Sequence, residues 1–139
     1  MLDLRAELLS SAWSAGRSAR EVAAIGQAVH QALVDCMGVP ARDHFQVITE
    51  HARSHLVFDP QYLETQRTEG IVLVQVFLSS GRDQAQKNAF YARAAQLMSE
   101  NAGVRPEDVT ITLTENTRGD WSFGGGRAHY LELPKEKWR

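Results

Sequence analysis

The second half of the chain shows its plan in the spacing of its hydrophobic residues. Ile71-Val72-Leu73-Val74-Gln75-Val76-Phe77-Leu78 is β-branched and apolar with one interruption, the pattern of a buried strand. Gly81-Arg82 turns the chain, and Asp83 followed three residues later by Gln86 is a helix-capping pattern. Phe90, Ala94, Leu97 and Met98 then fall on one helical face. Gly103 supplies a left-handed exit, Pro106 forbids simple continuation, and Val109 to Thr114 alternates as a second strand.

The first half follows the same plan. Ser18 and Glu21 form a capping box, Val22, Ile25, Val29, Leu33 and Cys36 keep helical spacing, and Gly38 ends the helix. Phe45, Val47 and Thr49 alternate with Gln46, Ile48 and Glu50 as the exit strand. The two halves hold one register. Gly16-Arg17 and Gly81-Arg82, Gly38-Val39 and Gly103-Val104, Asp43 and Asp108, and Thr49-Glu50 and Thr114-Glu115 share an offset of 65 (81 less 16). A duplication keeps such a register and chance does not. The strand that opens the first half has three readings. Leu2, Leu4, Ala6 and Leu8 alternate with Asp3, Arg5 and Glu7 from the start; the repeat register instead sets Glu7 to Trp13 against Val72 to Leu78; and Arg5 to Leu9 has helical propensity.

Strands joined by a helix run parallel with a right-handed crossover. The pattern therefore predicts an α/β (α+β) fold: a tandem β-α-β repeat with a four-stranded mixed sheet and two helices on one face. The halves span about 1–50 and 71–116 within a single domain of residues 1–139. Residues 117–139 lie outside the repeat and read as an oligomerisation segment, rich in aromatics at Trp121, Phe123, Tyr130 and Trp138. A sheet face left uncovered by both helices calls for further copies of the chain.

Composition narrows the function. The 139 residues are 43% hydrophobic and 23% charged, ordinary values for a globular protein with a core of its own. A net charge of −2 offers no basic field for nucleic acid or an anionic membrane surface. Ile71 to Leu78 is too short to span a bilayer, and the N-terminus lacks the pattern of a secretory signal. Cys36, the single cysteine, excludes an intrachain disulfide and reads as an inert core residue, so a cytoplasmic setting is expected. His44, His51 and His55 lack ligand spacing, so neither metal nor cofactor is expected. Gly124-Gly125-Gly126 does not lead from a strand into a helix and is no nucleotide loop.

Three stretches carry a resemblance: Gly38-Val39-Pro40-Ala41-Arg42-Asp43-His44-Phe45-Gln46, Gly81-Arg82 with Gln86-Lys87, and Glu115-Asn116 followed by Asp120-Trp121-Ser122-Phe123-Gly124. Together they resemble the tautomerase superfamily, and within it the malonate semialdehyde decarboxylase-like branch, over nearly the whole chain beyond residue 14. The resemblance implies a β-α-β-β-α-β fold and a homotrimer. It also implies an isomerase or lyase acting on small keto, enol or unsaturated carboxylic acids by tautomerisation, decarboxylation or hydration. In that family an amino-terminal proline is the base or, protonated, the acid. This sequence begins Met1-Leu2-Asp3, its prolines lie at 40, 60, 106 and 134, and the repeat register aligns Glu7 with the family's proline. A non-proline mechanism is expected in its place.

The same resemblance points to Arg82 as an anchor for the substrate carboxylate, with Gln46, Trp121 and Phe123 as further substrate-binding residues. The turn before a helix suits an anion, since free amides and a guanidinium converge there. The family's second arginine falls on Ser80. Asp43, His30 and Met1 are the catalytic candidates. Asp43 matches a carboxylate that activates water or orients the amine, although Asp is also a common turn residue and its mate Asp108 has the same setting. His30 matches a histidine on the first helix of several members. A free amine at Met1, with a pKa of roughly 7.7–8.0, is partly neutral at neutral pH and can act as a base or form a Schiff base. Two functions follow: an enzyme on a small carboxylic acid, or a catalytically inactive, proline-less relative with a binding or structural role.

Overall fold

The computed structural model describes the backbone of residues 3–10 and all of residues 16–139. Four strands, β1 (Asp3–Ser10), β2 (Phe45–Ala52), β3 (Val72–Ser79) and β4 (Val109–Asn116), form one sheet in the order β2-β1-β3-β4. β1 runs parallel to β2 and β3 parallel to β4, while β1 and β3 meet antiparallel at the centre. Helix α1 (Ala19–Met37) joins the first parallel pair and α2 (Gln84–Ala102) the second. A third helix, α3 (His129–Glu132), is added in the C-terminal segment, where the sequence pattern predicts none. Its four residues are too few to show a period.

Both long helices begin in reciprocal capping boxes. The Ser18 hydroxyl accepts from the Glu21 amide at 3.1 Å, and the Asp83 carboxylate accepts from the Gln86 amide at 2.8 Å. Both end at a left-handed glycine, Gly38 at φ 67° and Gly103 at φ 65°. Ile25, Val29 and Leu33 of α1 and Phe90, Ala94 and Met98 of α2 are buried against alternate residues of β3: Val72, Val74, Val76 and Leu78. Burial of the larger of these side chains, at about 1.5–3 kcal/mol each, is the main force holding helices to sheet. The other sheet face shows half-exposed Phe45 and Val47 on β2. No described helix is long and apolar enough to cross a membrane.

The opening strand resolves differently from the repeat. β1 starts at Asp3, between Phe45 and Phe77, and Glu7 sits in mid-strand opposite Thr49 and Leu73. The alternation from the chain start therefore prevails over the placement of Glu7 at the strand's head. The helices keep the 65-residue offset, but residues 11–18 separate β1 from α1 where only 80–83 separate β3 from α2. The extra residues follow the strand, and a gapless register misplaces everything before them. Helical propensity over Arg5 to Leu9 loses to a slot between two strands, where backbone groups are paired on both sides.

Candidate functional site

The repeat builds two matching corners, one at each end of the sheet, and the chain finishes them differently. At one corner the partners come from residues 68 and 70, in the connection between the halves. The Asp108 carboxylate, buried, accepts from the Thr68 amide and hydroxyl at 2.6 Å each, and Arg17 donates to the Gly70 carbonyl at 2.6 Å. At the other corner stand their mates, Asp43 and Arg82. Here the C-terminal segment folds in, and the Tyr130 hydroxyl donates to Asp43 Oδ2 at 3.2 Å. Arg82 is steadied from below: its Nε donates to the Met37 carbonyl at 3.0 Å and its Nη1 to the Ser79 carbonyl at 2.8 Å.

A cavity of about 320 Å³ opens over Arg82, lined also by Ser79, Ser80, Arg118, Tyr130 and Lys135. Ser79 is buried, and its hydroxyl has no hydrogen-bond partner among the described residues. A second groove of about 430 Å³ holds Asp43, Phe45, Phe123 and His129. Tyr130 and Trp138 line both spaces. Burial, and then the charge of Asp43 and the hydrogen bond to it, push the Tyr130 phenol far above its ordinary range, against the opposing pull of Arg82 and Arg118. Tyr130 is therefore a protonated donor at neutral pH. Aromatic contacts hold this wall together: Phe123 meets Phe45 at 6.2 Å and Tyr130 at 5.0 Å, and Tyr130 meets Trp138 at 4.7 Å.

Residues 43–124 match the Tautomerase_2 family of tautomerase enzymes. The chain is also 38% identical to the probable tautomerase YusQ of Bacillus subtilis (strain 168), over 84% of this chain and 92% of the relative. It belongs to the Tautomerase_2 family. Among solved structures it resembles malonate semialdehyde decarboxylase, with 33% identity, a TM-score of 0.84, and coverage of 93% of this chain and 95% of that one. It is equally similar in fold to the FG41 malonate semialdehyde decarboxylase inhibited by 3-bromopropiolate, at 37% identity and a TM-score of 0.84, over 93% of this chain and 94% of the other. The tautomerase-like α+β fold and the kinship with malonate semialdehyde decarboxylase expected from the sequence are thus both present.

Within this tautomerase-family corner the sequence-derived candidates separate. Arg82 lines the cavity, and Asp43 and Phe123 line the adjoining groove. Trp121 is buried beneath Phe123, stacked on it at 6.0 Å, with its indole N–H donating to Asn116 at 2.7 Å. Gln46 points at α1, where its amide donates to the Gly26 carbonyl at 2.8 Å. His30 lines neither space: its Nε2 lies 2.9 Å from the Ala41 carbonyl, and its ring stacks on His44 at 4.0 Å. Met1 lies outside the described residues. Three residues that the sequence did not assign to the site, Tyr130, Arg118 and Lys135, also line the cavity. Their one signal is position, in a segment outside the repeat that carries cations among its aromatics.

Proposed function

We propose that this tautomerase-family chain is an enzyme that moves a proton on a small keto, enol or unsaturated carboxylic acid by a mechanism without an amino-terminal proline. One observation supports this above the others: the Arg82 cavity and the Asp43 groove share Tyr130, so an anion site and a carboxylate–phenol pair stand side by side. Arg82, steadied by two backbone carbonyls, offers the rest of its guanidinium to a substrate carboxylate. Asp43 takes the proton from the carbon beside the carbonyl, and the neutral Tyr130 phenol supplies a proton to the developing enol oxygen. The proton taken by Asp43 then returns to the Tyr130 phenolate along the hydrogen bond between them, so that, net, one C–H bond of the substrate breaks, one O–H bond forms, and both side chains regain their starting states. A Met1 amine is a second candidate base. The β1 backbone begins at Asp3 opposite Phe45, which lines the Asp43 groove, so the strand starts at this corner.

Because the two solved relatives are decarboxylases of malonate semialdehyde, loss of carbon dioxide from a 3-oxo acid is the companion reaction to assay. The working unit we propose is a homotrimer, supported by the half-exposed Phe45 and Val47 on the open sheet face. Titration calorimetry with pyruvate-like acids tests the anchor. Wild type is expected to bind them and Arg82→Ala to lose binding while keeping its oligomeric state. Equal binding by both, or none by wild type, would favour the inactive, proline-less relative.

A further inference from the structure

We propose that the Arg82 cavity is a two-anion site, in which Arg118 and Lys135 of the C-terminal segment hold a second negative group of the ligand opposite the one on Arg82. The inference deepens the function proposed above and rests on it for the first anion. Three cations line this one cavity, Arg82 from the β3–α2 turn and Arg118 and Lys135 from the tail, and no acidic residue is among the described residues that line it. Asp43 stands beyond Tyr130, in the adjoining groove, with its Oδ2 accepting from the phenol.

Three like charges around about 320 Å³ repel one another, and a ligand carrying one carboxylate would relieve only part of that repulsion. The two arginines are held by separate partners. Arg82 is tied by hydrogen bonds to Met37 and Ser79, whereas Arg118 lies over the Trp138 ring with 5.1 Å between its guanidinium carbon and the ring centre. That stacking leaves the edge of the Arg118 guanidinium for a carboxylate. The buried Ser79 hydroxyl, lining the same cavity without a hydrogen-bond partner among the described residues, adds a polar group of the kind that a bound oxygen would satisfy. Tyr130 lines the same cavity as both arginines. The ligand class is therefore a short, flexible dicarboxylate, small enough for the cavity.

The test compares matched acids by calorimetry at low and moderate salt: propionate with malonate, butyrate with succinate, and valerate with glutarate, on wild type, Arg82→Ala, Arg118→Ala and Lys135→Ala, each checked for fold by circular dichroism. At least one dicarboxylate is expected to bind wild type about tenfold or more tighter than its monocarboxylate mate, the scale of one additional charged hydrogen bond. Arg118→Ala and Lys135→Ala should each lower dicarboxylate affinity by about tenfold and monocarboxylate affinity by clearly less, so that the preference shrinks or disappears. Arg82→Ala should weaken both classes. Monocarboxylate binding without any dicarboxylate preference, or a preference that survives Arg118→Ala and Lys135→Ala undiminished, overturns the second subsite and leaves the Arg82 anchor standing. Failure of both classes to bind wild type overturns the anchor and the second subsite together.

Discussion

Asp43 and Asp108 hold matching places in the repeat and do different work, and the difference lies in their partners. Two short hydrogen bonds from Thr68 occupy Asp108, which is buried. Asp43 takes a longer bond from a phenol at the border of two open spaces. Nothing in the residues at 43 and 108 announces this, because the distinguishing groups arrive from 40 and 87 positions away. Tyr130 carries a pH signature of the arrangement. Below the ordinary tyrosine pKa of 10.0 the phenol is protonated folded and unfolded, and its contribution to stability is complete. Above that the unfolded phenol ionises while the buried one resists, so the contribution is lost as pH rises towards the folded group's own, higher pKa. Urea denaturation of wild type and Tyr130→Phe from neutral pH to pH 11 should show the wild-type advantage shrinking beyond pH 10. A constant difference would show that the phenol is not held in this buried place beside Asp43 in solution.

At the scale of elements, α1 and α2 were legible because each carries its own start, face and stop. Ser18 and Asp83 cap, Ile25, Val29, Phe90 and Met98 point inward, and Gly38 and Gly103 turn left-handed, all from local signals. Ser18→Ala should cost about 1 kcal/mol of stability, the usual worth of an N-cap. Phe90→Ala, which empties a fully buried site, should cost about 3–5 kcal/mol. Chemical denaturation checks both, and a smaller loss for Phe90→Ala than for Ser18→Ala would contradict the core described here. β1 was less legible. Its alternation from the chain start, its repeat register and its helical propensity disagreed, and the place between β2 and β3 that decides the matter is a tertiary fact. Gln46 shows the same limit. Its motif suits a binding residue, while the alternation of β2 turns its side chain towards Gly26 of α1.

In the molecule as a whole, the C-terminal segment makes one corner of a symmetric repeat unlike the other. It brings Arg118, Tyr130, Lys135 and Trp138 over Arg82, and these come from outside the repeat that organised the sequence. Composition marked the segment as unusual, but only folding shows where it lands. Deleting 117–139 should therefore weaken ligand binding, abolish any preference for dicarboxylates, and weaken the proposed trimer, read by calorimetry and by light scattering at micromolar concentration. A wild-type chain that is monomeric there would refute the assembly, and a truncated chain that binds dicarboxylates as tightly as wild type would refute the role of the tail. The central claim is that Asp43 and Arg82 form a working proton-transfer site. Proton NMR of pyruvate in D2O, following exchange of its methyl hydrogens, tests it most directly. Wild type should exchange them faster than buffer, Arg82→Ala should fall to the buffer rate, and Asp43→Asn should lose about 10²–10⁴-fold, the worth of a general base. Exchange by wild type at the buffer rate, or unchanged exchange in Asp43→Asn, would contradict it.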